Sequence, residues 1–266
     1  MVSQASRLAE VQVQGQRRID AIYAPLALAI ADAVMRWSVP DVRGIPRLSL
    51  FARFLILSEI GRLLDAVRIP LTLAILDTTR RAENVAQIQT TPIGRDTAAN
   101  NTARGVIYRA LGTDRTSVIG QTGALLARGV AAGAAARTIT RTIQQYFSPW
   151  FSGYRDKTGA LLHTDRVGAI TSWPGRAGMA SQHARTILLT EATRAHSNTI
   201  LRLATRDGVG VRYHVSTAHA KSDVCSDNAR RDNGYGRGIY RSGDAPKIPI
   251  HVNCRCSYST VPLVER

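Results

Sequence analysis

The sequence predicts a mainly α-helical chain with a small C-terminal α+β module: a helical N-terminal region, followed by a long helix and short antiparallel strands. Three observations lead there. Apolar residues recur at three- and four-residue spacing over most of the first 146 positions. Proline, glycine and aromatic residues then break the pattern between positions 147 and 176. After one further helical stretch, apolar residues alternate in short runs separated by glycine. The expected organisation is a helical region over 1–146, a connector or arm over 147–176 and an α+β domain over 177–266.

From Ser3 to Trp37, residues such as Leu8, Val11, Ile19, Tyr23, Leu26, Ile30 and Val34 form one apolar stripe, which reads as a long amphipathic helix. Pro25 lacks a backbone donor and is expected to kink or divide that helix near Tyr23 and Ala24. Val39 to Pro46 carries the proline and glycine punctuation of a connector. Residues 47–88 are again apolar at helical spacing (Phe51, Phe54, Leu57, Ile60, Leu64, Val67), and Pro70 is expected to separate two helices of about twenty residues each. Thr90 to Gly94 interrupts the pattern, and helices are expected near Thr97–Leu111 and Thr116–Leu126. The small-residue run Val130 to Ala136 permits close helix approach, and Arg128, Arg137 and Arg141 around it favour a packed helix over a membrane span. A further helix is expected from Gly178 to Arg206, ended by Gly208 and Gly210. Beyond it lie a strand over Val211–Ser216, a polar helix or loop reaching Asn233, a Gly234–Gly238 turn, and strands near Ile239–Arg241 and Ser257–Val261.

Charge and cysteine usage narrow the functional classes. The 266 residues carry 35 Lys+Arg against 19 Asp+Glu, a formal net charge of +16. Only Lys157, Lys221 and Lys247 are lysines; the remaining cations are arginines, spread along the whole chain. An excess of this size suits a polyanionic neighbour such as DNA, and the planar guanidinium fork suits phosphate. Three cysteines exclude a disulfide-dense secreted scaffold. The first eighteen residues lack a basic-then-apolar signal, so export by that route is not expected. Apolar stretches such as Ile22–Ala31 and Ile69–Leu76 fall short of the ~20 residues that span a bilayer, so no membrane span is expected.

All three cysteines lie near the C-terminus, at Cys225, Cys254 and Cys256, and His251 sits within the same short segment as the last two. Two thiolates and an imidazole in one turn, with a third thiolate from a separate segment, make a possible four-ligand set for zinc: Cys225, His251, Cys254 and Cys256. The spacing is not a standard Cys-x-x-Cys pair. A metal centre therefore competes with three other readings: a disulfide from Cys225 to one of the other two, reduced thiols filling a small core, or His251 as a hydrogen-bonded structural residue.

The same segment carries a family resemblance. The order helix, strand, Asp223-Val224-Cys225, glycine-containing turn, then Pro249-Ile250-His251-Val252-Asn253-Cys254-Arg255-Cys256 resembles the C-terminal domain of the phage Mu F-like head morphogenesis, or minor head, proteins. The helix before it, with Arg185, Thr190, Glu191, Ala195 and Asn198, resembles that family's Arg-Thr-Glu helix, and the resemblance covers roughly residues 130–262. The family commonly has a second cysteine three positions after the first; here Asn228 stands there, which leaves His251 as the needed fourth ligand. The resemblance implies a virion component inside the head or at the portal vertex, present in the host cytoplasm during assembly. Its implied partners are the portal protein and other head proteins such as the major capsid protein. Its implied role is in head assembly, DNA packaging or ejection. A cationic protein in that setting would lie against packaged double-stranded DNA and bind it without sequence preference. A nonspecific DNA-binding protein delivered with the genome is the alternative expectation, and a head-carried enzyme a further one.

Enzymatic function has little support in the residues. Glu191, His196, His219 and Asp223 are candidate acid/base groups, but Glu191 and His196 are five apart and share a helical face imperfectly. No nucleophile elbow, phosphate loop or His-Glu-x-x-His string accompanies them, and Gly234-x-Gly236-x-Gly238 lacks the setting of a dinucleotide fingerprint. No catalytic residue is assigned.

Overall fold

The computed structural model describes residues 4–87, 97–147, 154–155, 161–162, 179–215, 224–251 and 254–264. The chain is mainly helical, with short strands, as the apolar periodicities require. Helix α1 (Gln4–Arg36) leads through an antiparallel pair, β1 (Val39–Pro40) and β2 (Pro46–Arg47), into α2 (Leu50–Gln87). Then follow α3 (Thr97–Ala131), α4 (Ala136–Phe147) and a second two-strand pair, β3 (Tyr154–Arg155) with β4 (Leu161–Leu162). Helix α5 (Met179–Arg206), β5 (Gly210–His214), α6 (Val224–Arg230), β6 (Ile239–Arg241) and β7 (Ser257–Val261) complete the described elements.

Two proline divisions are corrected. Pro25 does not divide α1, and α2 runs unbroken through Pro70 where two helices were expected. Both prolines are exposed, as are Ala21 and Ala66, whose carbonyls lose their partner four residues on. Water can satisfy those carbonyls, so the missing hydrogen bond costs little, while burial of neighbours such as Tyr23, Leu26 and Leu71 keeps the flanking turns packed. The stretches Thr97–Leu111 and Thr116–Leu126 likewise belong to the single helix α3.

Helix ends follow local chemistry. The Ser49 hydroxyl accepts the Ala52 amide at 3.1 Å, an N-cap bond opening α2. Gly208 ends α5 at φ +65°, with the Val209 amide returning to the Ala204 carbonyl at 3.0 Å. In the turn between β1 and β2, one Asp41 oxygen accepts the Arg43 and Ile45 amides at 2.9 and 3.0 Å. No helix among the described residues is long and apolar enough to cross a membrane.

By contact, the chain divides into two units built from separated stretches. One comprises Met1–Gln16, Leu73–Arg104 and Thr186–Arg266; the other comprises Arg17–Thr72 and Gly105–Arg185. The second unit is a helical bundle whose core includes Ile19, Ile30, Ile56, Ile60, Ile107 and Ile139, all at zero exposure. An ion pair from Arg185 to the buried Asp20, with Nε at 2.8 Å, ties its α5 end to α1. In the first unit Leu8, Ala82 and Ala192 share one cluster, and the Gln12 amide donates to the Thr193 hydroxyl at 3.0 Å.

The C-terminal part of the first unit positions the cysteines. Its antiparallel sheet has the order β6-β5-β7, so β5 is central. Register sets Tyr213 of β5 opposite Tyr258 of β7, their rings edge to face at 5.7 Å between centroids. α6 packs against this sheet, and the Tyr240 hydroxyl donates to the Asn228 carbonyl at 2.6 Å. Gly238 has φ +69°, and a Cβ there would come within 2.8 Å of the Ala229 carbonyl oxygen; only glycine lets the turn pass that close to α6.

Candidate metal centre

Alternation along β5 buries Val211 and Tyr213 on the face where α6 also packs. Cys225, the second residue of α6, is fully buried in that core together with Tyr213, Tyr240, Ile248, Cys254 and Cys256. Before β7 the chain turns at His251, whose carbonyl accepts the Cys254 amide at 3.1 Å. Cys254 and Cys256 are both fully buried and Arg255 between them is exposed, as expected of residues two apart in an extended segment.

Fold and local turn together converge the ligand-type atoms. One ligand atom each from Cys225, His251 and Cys254 lies within 4.8 Å of the other two, and Cys225 Sγ is 3.2 Å from His251 Nε2. These three residues can bind a metal. A tetrahedral zinc site with bonds of about 2.3 Å to sulfur and 2.0 Å to nitrogen has edges of about 3.5–3.8 Å, so closing the group requires shifts of about 1 Å or less. The donor set, two soft sulfurs and an imidazole, suits zinc rather than a hard cation. Cys256 is outside this three-residue group, though its thiol interacts with both Cys225 and Cys254. No disulfide joins the three cysteines.

The electrostatics distinguish the two ligand cysteines. The Cys256 thiol hydrogen-bonds to the Cys254 sulfur and, with the Cys256 and Ile250 amides and the His251 charge, lowers its pKa to about 5 against the cost of burial. Burial pushes the Cys225 thiol up. The core therefore favours thiolate at Cys254, the form that binds a metal. Tyr213, which nothing in the residue pattern singled out beyond its inward strand position, stands beside the Cys225 and Cys256 sulfurs. Burial and those sulfurs hold its hydroxyl strongly in the protonated form. That hydroxyl is buried and, among the described residues, has no hydrogen-bond partner of good geometry.

Among the described residues, the other motif residues are not drawn into this group. Asn228, in the position of the missing cysteine, is nearly buried on α6. Pro249 follows a cis peptide bond with Ile248. Arg185 is held by Asp20, Glu191 pairs with Arg194, and the Thr190 hydroxyl is buried without a partner among the described residues. His196 is fully buried with neither ring nitrogen bonded to a described residue, so Glu191 and His196 do not form a hydrogen-bonded acid/base pair. Asp223, Asn253 and His219 lie outside the described residues. No protein-family model, no curated protein and no solved structure matches the chain.

Proposed function

We propose that the chain is a structural minor head protein of a tailed phage, associating with the portal or inner capsid, with a C-terminal module stabilised by zinc. The observation that carries the proposal is the convergence of Cys225, His251 and Cys254, residues of the Mu F-like sequence pattern, in one buried core. Cys256 is the fourth ligand, since its sulfur already neighbours those of Cys225 and Cys254. Three thiolates and one imidazole complete a closed tetrahedral set with no open position, the arrangement of a structural rather than a catalytic zinc.

Two measurements test it. Purified protein should contain about one zinc per chain, and the Cys254→Ser/Cys256→Ser variant should lose it. Metal-free wild-type protein with unchanged stability in chelator rejects the zinc part. The chain, co-expressed with the portal and major capsid proteins of its proposed phage, should co-elute with one of them. Failure to associate with either overturns the virion part. The alternative of a nonspecific DNA-binding protein delivered with the genome rests on the +16 charge and has its own salt test below.

A further inference from the structure

The second unit carries an apolar face that its own core leaves uncovered. At the start of α2, Leu50, Phe51 and Phe54 are 66%, 71% and 68% exposed, while Ala52, Ile56 and Ile60 on the opposite side of the same helix are buried. The preceding turn adds Val39 and a fully exposed Val42. Trp37 belongs to the same region, because its indole N–H reaches Glu59 on α2 at 3.4 Å. Single exposed apolar side chains are ordinary. A run of this kind on one helix turn and its adjoining hairpin amounts to several hundred Å² of apolar surface, the scale at which such patches mark interaction sites.

Charge selects the occupant. Residues 36–62 hold five arginines (Arg36, Arg43, Arg47, Arg53 and Arg62) against the carboxylates Asp41 and Glu59. Both carboxylates are engaged internally: Asp41 with two amides and Arg47, Glu59 with Arg36 and Trp37. Arg43 and Arg62 are exposed. A second copy docking face to face would set these cations against each other, and a chain with 35 cationic to 19 acidic residues has little acidic surface to offer instead. A protein segment can place its acids opposite Arg43 and Arg62 and its apolar side chains on the phenylalanines.

We infer that this face, centred on Leu50, Phe51 and Phe54, docks an acidic amphipathic segment of a partner protein. The two phenylalanines and Leu50 supply the desolvated centre, and the arginines supply the rim and the steering charge. The inference depends on neither the metal centre nor the virion reading.

The test uses the full-length chain and two variants: Phe51→Ser/Phe54→Ser, and Arg43→Glu/Arg62→Glu, the latter altering only exposed charges. The probe is a fluorescein-labelled helical peptide with glutamates along one side and leucines along the other, read by anisotropy. Each variant should weaken binding about tenfold or more, and a lysine-for-glutamate version of the peptide should not bind. Circular dichroism of both variants controls for folding, and the charge variant keeps the test decisive if the phenylalanine variant unfolds. No binding of the acidic peptide, or equal binding by wild type and the charge variant, overturns the inference. So does a concentration-dependent dimer in sedimentation velocity that the variants abolish, which would make the occupant a second copy. So does flotation with phosphatidylglycerol vesicles that the variants abolish, which would make it a lipid surface.

Discussion

His196 is fully buried with neither ring nitrogen hydrogen-bonded among the described residues, a setting that favours its neutral form. Burial lowers its pKa from 6.5 to about 4. Because the folded value lies below the unfolded one, the unfolded chain binds the proton more readily between those limits. No penalty exists above about pH 6.5; it grows as pH falls toward 4, and at pH 5 is on the order of 2 kcal/mol. The urea midpoint of wild type should therefore drop more between pH 7 and pH 5 than that of His196→Leu, and parallel pH dependences would refute the assignment. Tyr213 makes a second prediction at this scale. Its hydroxyl lies beside the Cys225 and Cys256 sulfurs, and in the proposed zinc site it would donate to one of them, so Tyr213→Phe, which keeps the ring packed on Tyr258, should weaken zinc retention about tenfold in a chelator competition. Unchanged retention would leave Tyr213 a packing residue only. The cysteines and His251 were legible as ligand types from sequence because they are rare here and clustered. Tyr213 was not, because its relation to Cys225 is made by a strand and a helix that meet only in the fold. The disposition of His196 was equally hidden, since a lone polar residue on a helix looks the same whether it faces water or the core.

At the scale of elements, the periodic signal located the helices well and their interruptions poorly. Proline is read as a breaker, yet Pro25 and Pro70 sit on exposed turns where the freed carbonyl meets water. Which side of a helix faces solvent depends on packing that a local window does not contain. Glycine inside a helix was equally uninformative in sequence and has a clear role at Gly15. A Cβ there would lie 2.5 Å from the Thr78 hydroxyl oxygen and 2.8 Å from a Leu188 methyl. The Thr78 hydroxyl is itself fixed by its bond to the Ala74 carbonyl at 2.8 Å, so the contact cannot relax by rotating that side chain freely. Alanine normally favours a helix over glycine by about 1 kcal/mol. Here Gly15→Ala should instead destabilise by about 1–3 kcal/mol, because α1, α2 and α5 approach too closely for the added methyl. A denaturation midpoint at or above wild type would show that the helices can separate without loss.

For the whole molecule, the two readings of its charge differ in a measurable way. The contact units join residues far apart in sequence, Gln12 with Thr193 and Asp20 with Arg185, so no division by composition could have traced them. Net charge needs no such knowledge: 16 uncompensated positive charges are a property of the chain under any packing. Internal pairs such as Arg115–Asp65 and Arg36–Glu59 neutralise acids one for one and leave that excess untouched. In a protein that lies against DNA, the excess displaces condensed counterions from the phosphates, and affinity then falls with salt at a log–log slope of about −0.9 per phosphate contacted. With ~6–10 such contacts, affinity for a random-sequence duplex should fall ~10³- to 10⁵-fold between about 50 and 200 mM salt and be indifferent to the sequence used. Binding that persists across that range, or no binding at low salt, rules out DNA as the partner that the charge serves. Chelator adds the discriminating control. If zinc orders only the C-terminal module, its removal should unfold that part while leaving the salt slope of the remaining arginines largely in place. Loss of the slope together with the metal would instead locate the phosphate contacts on the cysteine-bearing module, around Arg230, Arg231, Arg237 and Arg255.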